Sequence, residues 1–305
     1  MTRFAAALLM ALAGAAPLAG GAFAAGGPTE KPPAQSWTFD GPLGRFDRAQ
    51  LQRGFKVYRE VCAACHSMQL LRFRNLAEPG GPQFTQAQVT ALAATYQIQD
   101  GPNDRGEMFE RPGRPADALP PAHPNEQAAR AANGGAYPPD MSLITKARTY
   151  ERGFPWFIFD IFTQYNETGP NYVAALVGLG YVKPPEGMQL LPGQHYNKYM
   201  PGGVIAMADP LARFFDEQGK VTEPDYYTDG TPVTRLQLAK DVTAFLQWVA
   251  EPTLEERKKI GLRVMIFLAV FATLLYFTKK KVWARLGGEE ENQAPYFEPQ
   301  KTGRA

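Results

Sequence analysis

The chain of 305 residues has only two cysteines and three histidines. That scarcity excludes a disulfide framework, a four-cysteine zinc site and any protein built on several copies of a Cys-rich cofactor motif. No internal repeat is visible. Nothing in the charge pattern points to a nucleic-acid partner, and no pair of acids or activated nucleophile stands out. Lys and Arg number 32 and Asp and Glu 30, a formal charge of +2 that conceals a division along the chain. Residues 25–256 hold 21 basic and 26 acidic side chains, a net of −5, and the basic excess lies at the ends. An acidic segment of this size favours a basic soluble partner steered by long-range attraction.

The two cysteines stand together in Cys62-Ala63-Ala64-Cys65-His66. Three readings compete with covalent haem: a redox dithiol, half a zinc site and a disulfide. A zinc site lacks two further ligands, and a thioredoxin-like pair would follow a strand rather than a helix. The pattern is that of c-type haem attachment, in which each thiol adds to a vinyl group of one porphyrin and the next histidine ligates the iron. Cys62 and Cys65 therefore carry the haem covalently and His66 is one axial ligand.

Both ends of the chain are topogenic. Residues 1–24 have a basic start, an apolar stretch and a small-residue close at Ala22-Phe23-Ala24, the form of a cleaved signal peptide. Ile260–Thr278 is apolar apart from Arg263. Nineteen residues at about 1.5 Å each reach roughly 28 Å, close to a bilayer core of about 30 Å. Tyr276, Trp283 and the cluster Lys279, Lys280, Lys281 and Arg285 mark a cytoplasmic boundary. The expected organisation is a signal (1–24), an exported haem domain (25–256), a single transmembrane helix (257–279) and a short cytoplasmic tail (280–305). The chain is thus placed in a bacterial inner membrane, with its haem domain in the periplasm.

Within the exported domain, 27 prolines and 29 glycines in the whole chain predict many turn-rich connections. Apolar spacing at Leu51, Phe55, Tyr58 and Cys62 predicts a helix capped by Asp47 that runs into the haem motif. A second helix is predicted at Thr231–Ala250, with Pro232 in its first turn and Leu238, Val242, Phe245, Leu246 and Val249 on one side. Residues 72–230 read as mostly loop, with one short helix at Thr85–Thr95. The fold class is mainly α: a class I cytochrome c-like domain with long loop insertions and one C-terminal transmembrane helix.

The second axial position has several candidates. Met207 lies in Pro-Gly-Gly-Val-Ile-Ala-Met-Ala-Asp-Pro, where glycines and small apolar residues allow close backbone approach to a ring. Met200 shares that loop and competes directly; Met108, Met141, Met188, His123 and His195 remain open. Met68 is too close to His66 to reach the opposite face.

Five blocks occur in order: the haem motif, Asn-Gly-Gly-Ala-Tyr-Pro-Pro-Asp (133–140), Tyr-Asn-Lys-Tyr-Met-Pro-Gly-Gly-Val-Ile-Ala-Met-Ala (196–208), Asp-Gly-Thr-Pro-Val-Thr (229–234) and Ala-Lys-Asp-Val-Thr-Ala-Phe-Leu-Gln-Trp-Val-Ala-Glu-Pro (239–252). Over nearly the whole mature chain the sequence resembles the cytochrome c1 family, the c-type haem subunits of bacterial cytochrome bc1 complexes. The resemblance implies Met207 as the second iron ligand. It also implies that Asn133, Pro139 and Arg148 line the haem, Arg148 as partner of a propionate. One covalent haem c would carry an electron from the Rieske iron–sulfur protein to a soluble c-type cytochrome, in a dimeric complex with cytochrome b. In this reading the subunit is a non-catalytic relay, and the complex is the oxidoreductase. The acidic stretch from Gln99 to Glu110, diluted by Arg105 and Arg111, resembles the region that faces the soluble partner. Tyr150–Pro170 is an aromatic-rich segment longer than in mitochondrial members. The alternative is a membrane-anchored cytochrome c serving a terminal oxidase or reductase. Peroxidase and gas-sensor readings would need an open iron.

Overall fold

A computed structural model describes residues 30–150, 153–156, 158–159 and 168–284. The expected signal, most of the tail and much of the aromatic segment at 150–170 lie outside the described residues.

The first helix, α1 (Arg48–Val57), starts where the sequence expects it. Asp47 accepts from the N–H groups of Ala49 and Gln50, satisfying two of the donors left open at a helix start. The chain then widens into a π turn, Tyr58–Cys62. Such turns are concentrated at functional sites because the extra residue re-aims the side chains that follow. The expected α-helical approach to the haem motif is corrected here: the last turn before Cys62 is π, not α.

Helix α2 (Gln86–Ala94) is closed by a reciprocal pair in which Thr85 accepts from Gln88 N–H and Gln88 from Thr85 N–H, the capping box. Among the described residues, three further α-helices lie in the region read as loop: α3 (Glu126–Ala132), α4 (Ile144–Ala147) and α5 (Thr168–Gly178). They are short, and α5 opens on Thr-Gly-Pro, so neither length nor composition announces them. Two small antiparallel hairpins complete the described sheet: β1 (Gln97–Asp100) with β2 (Phe109–Pro112), and β3 (His195–Tyr196) with β4 (Val204–Ile205).

Helix α6 (Arg235–Ala250) is the axis of the domain, packing against α1, α4 and α5. It begins later than expected, with Thr234 as its cap accepting from Gln237 N–H and Pro232 left outside. Its amphipathic reading is also corrected. From Asp241 to Ala250 every residue is buried, polar Asp241, Thr243 and Gln247 included. A helix enclosed on all sides shows no polar face. At its crossing with α1 the backbones touch: a Cβ on Gly54 would lie 2.0 Å from the Asp241 carbonyl oxygen. The extended amino-terminal segment adds an aromatic stack, Trp37 on Phe39 on Phe46, pinned where Trp37 Nε1 donates to Asn171 of α5 over 2.8 Å.

Helix α7 (Leu254–Trp283) is the one described helix long and apolar enough to cross a membrane. At 30 residues it reaches roughly 45 Å, more than a bilayer core, and Val264–Phe277 is exposed along its apolar length. Its first turn belongs to the domain. Leu254 is buried, and Glu255 accepts from the Phe46 N–H and from Arg48.

Candidate haem site

One turn of chain holds the attachment motif. The Cys62 carbonyl accepts from the N–H groups of both Cys65 and His66, at 3.1 and 2.9 Å. No disulfide joins the two cysteines; Cys62 is half-buried against the core and Cys65 exposed. Burial pushes the pKa of the Cys62 thiol up to about 12. The buried Tyr58 hydroxyl donates to the His66 carbonyl over 3.2 Å, fixing the backbone under the ring.

The His66 ring is fixed by a second loop. Its Nδ1 lies 2.8 Å from the Pro139 carbonyl oxygen. A carbonyl only accepts, so Nδ1 carries the proton and Nε2 keeps its lone pair for a metal. Burial lowers the imidazole pKa, against opposing pulls from the Pro139 carbonyl and Asp140, and so favours the neutral, ligating form. The Pro139 loop is laced to the chain after His66 at several points. Met141 N–H donates to Ser67, Gln69 N–H to Asp140 and Leu70 N–H to the Ser142 hydroxyl. The sequence marked Pro139 as lining the haem; its carbonyl contact depends on a loop 73 residues away.

Asn133 ends α3, where its side chain donates to Ala129 O and its backbone N–H closes the helix. Its amide is 3.4 Å from His123 Nε2. His123 shares a cleft of about 120 Å³ with Cys65, Ser67, Tyr137 and Pro138, which places it beside the attachment turn. Arg148, at the end of α4, is exposed and has no ion-pair partner among the described residues. Burial raises the pKa of the Tyr172 phenol, and the charge of Arg148 pulls the other way.

Met207 lies just past β4 and is partly exposed. Its carbonyl accepts from the Tyr181 hydroxyl over 3.0 Å, a contact the sequence reading did not find. Of its rivals, Met200 offers its sulfur to the Tyr172 hydroxyl at 3.9 Å. Met108 is exposed on the hairpin side of the domain, and His195 is paired in β3 with Ile205 of β4. Met68 is fully buried in the core. These residues fit one covalently attached haem: two cysteines on one turn and an oriented imidazole that follows them directly.

The acidic stretch is the β1–β2 hairpin. Arg111 is held by Asp100 of that stretch and, at 2.7 and 3.0 Å, by both oxygens of Asp117 beyond it, so its charge is divided between the two. Hydrogen bonds from Arg111 hold the Asp117 carboxyl at about 2, below its ordinary 3.8. A depressed folded pKa stabilises the fold fully above the ordinary value and is lost as pH falls toward the folded one. Asp117→Asn is therefore expected to lower the melting temperature near neutral pH. The gap to wild type should narrow between about pH 4 and 2, and melts of the purified protein across that range check it.

The chain matches the model of the Cytochrome C1 family over residues 37–286. It is 60% identical over 256 residues to "Cytochrome b/c1" of Bradyrhizobium diazoefficiens, covering 84% of this chain but 36% of that longer protein, so it spans about a third of that relative. It is 48% identical over 261 residues to "Cytochrome c1" of Blastochloris viridis, 85% of this chain and 88% of the relative. To "Cytochrome c1, heme protein, mitochondrial" of Saccharomyces cerevisiae it is 44% identical over 252 residues, 83% of this chain and 72% of that one. With an oriented histidine behind a haem-attachment turn and relatives of this kind over most of its length, the chain belongs to the cytochrome c1 family.

Proposed function

We propose that this chain is the electron-relay subunit of a cytochrome bc1 complex, accepting one electron from a Rieske iron–sulfur protein and passing it to a soluble c-type cytochrome. Haem c supplies a one-electron iron centre. Cys62 and Cys65 would bind it covalently, His66 and Met207 would ligate its iron, Asn133 and Pro139 would shape its surroundings and Arg148 would pair a propionate. The observation that carries this reading is the 2.8 Å contact of His66 Nδ1 with the Pro139 carbonyl, which leaves Nε2 as the ring's ligating nitrogen directly after the attachment turn. With a thioether as well as the imidazole as ligands, the iron would be favoured in its reduced form and would leave no open position for small molecules, as relay chemistry requires.

The topology belongs to the same proposal: a signal at 1–24, a periplasmic domain at 25–256, a span at 257–279 and a cytoplasmic tail at 280–305. The name of the Bradyrhizobium relative, "Cytochrome b/c1", supports cytochrome b as the membrane neighbour. The hairpin carries exposed Asp104, Glu107 and Glu110, with Arg111 internally neutralised, and suits a basic docking partner.

Extraction of the membranes in mild detergent tests the proposal. The chain should co-purify with a cytochrome b and a Rieske protein, and its reduced spectrum should not change under carbon monoxide. Purification without those subunits, alongside a terminal oxidase, would instead favour the membrane-anchored shuttle.

A further inference from the structure

Met207 belongs to no regular element, yet the chain on both sides of it is tied down. Upstream, β4 pairs with β3 through Val204 and Tyr196. Downstream, Asp209 accepts from Arg235 Nη1 at 2.7 Å and from Leu211 N–H at 3.0 Å. Arg235 opens α6, so the loop is tied to the central helix of the domain. Between these anchors the Tyr181 hydroxyl reaches the carbonyl of Met207 itself, at 3.0 Å.

Tyr181 is in turn set by a buried frame. It bridges to Asn197, which is fully buried. Asn197 donates from its side chain to Leu176 O and from its backbone to Gly203 O, while its Oδ1 accepts from Tyr199 N–H. Gly180 makes room for this: a Cβ there would lie 2.1 Å from Asn197 Oδ1. The frame joins the end of α5 to the Met207 loop, and the Tyr181 hydroxyl carries it to Met207 itself.

We propose that Tyr181 is a positioning residue for Met207: its hydroxyl straps the Met207 backbone so that the thioether is pre-organised to ligate iron. The proposal rests on Met207 being the axial ligand. A thioether is a weak neutral ligand and competes with any stronger one that reaches the iron, so the ordering cost of its loop bears directly on its occupancy. Tyr181→Phe keeps the ring and its packing and removes only the strap.

The experiment uses the purified complex, with Tyr181→Phe, Arg235→Gln and Met207→Leu compared with wild type. In Tyr181→Phe the haem should stay covalently attached while the far-red iron–thioether absorption band weakens. The midpoint potential should fall, and the ferric form should bind cyanide roughly tenfold more tightly, the scale set by one hydrogen bond. Arg235→Gln, which releases the loop from its other side, should move all three readings in the same direction. It also decides the matter if Tyr181→Phe fails to accumulate. Unchanged band, potential and cyanide affinity in the strap variants, with all three altered in Met207→Leu, would overturn the strap and leave the ligand intact. An unchanged spectrum in Met207→Leu would remove the ligand assignment, and the strap with it.

Discussion

Met207→Leu is expected to leave the haem covalently attached and to stop electron transfer through the complex. The substitution conserves volume and apolar character, a change that well-packed sites tolerate at small cost. The attachment turn and the His66–Pro139 contact are formed by other segments and should persist. On the proposed ligation, what is lost is the thioether that would raise the potential of the haem iron. Axial ligands tune that potential over roughly 0.8 V, and for a one-electron couple about 59 mV is a factor of ten in the equilibrium. A fall of even about 120 mV thus disfavours uptake of an electron by roughly a hundredfold. Quinol-to-cytochrome c turnover should drop by that order, the reduced protein should bind carbon monoxide, and the far-red band should vanish. Retained turnover with no carbon monoxide binding would assign the sixth position to another side chain, with Met200 first in line from the same loop.

That result separates two kinds of sequence information. The attachment turn was legible because Cys62, Cys65 and His66 are adjacent and their chemistry has few competitors. The cap at Asp47 was legible for a similar reason, since it reaches only two or three residues along the chain; the capping box at Thr85, read only as the start of a helix, was not singled out. Met207 stood among several methionines until the ordered blocks around it were matched to a family. The residues that hold the site in place left no local signature at all. Pro139 is 73 residues from His66, Tyr181 is 26 from Met207, and Gln50 is 191 from Asp241. Periodicity also failed where tertiary structure overrode it. Helix α6 looked one-sided because its sequence alternates polar with apolar, yet its second half is enclosed on every side. The π turn at Tyr58–Cys62 has the same apolar spacing as an α-helix and could not be told from one.

The largest effect on stability is expected at Asp241, the one aspartate fully enclosed within α6. Its Oδ2 accepts from Arg53 Nε at 2.9 Å; its Oδ1 accepts from Gln237 at 2.7 Å, Gln50 at 3.1 Å and Arg53 Nη2 at 3.3 Å. Both Gln50 and Arg53 come from α1, beside the Gly54 crossing where the helix backbones meet. The network therefore fixes the rotation and register of the helix that delivers Cys62. Arg53 has a second partner in Asp229 at 2.6 Å, with a side chain that is 39% exposed. Against the downward pull of burial, Asp241 and then Asp229 raise the Arg53 pKa, so the guanidinium stays charged whichever carboxylate is removed. Asp241→Ala thus leaves a cation and two amides facing an apolar gap, and breaking a buried pair from one side costs about 3–5 kcal/mol. Asp229→Ala removes a partner that water replaces, and should cost under about 1 kcal/mol. Denaturant melts of the detergent-solubilised protein should rank the two variants in that order. Asp241→Ala should also lose haem-loaded protein, because covalent attachment needs Cys62 and Cys65 presented together on a fixed turn. Equal melts for the two variants would mean that the α1–α6 crossing is held by apolar packing around Leu51, Phe55 and Phe245 rather than by the buried charge.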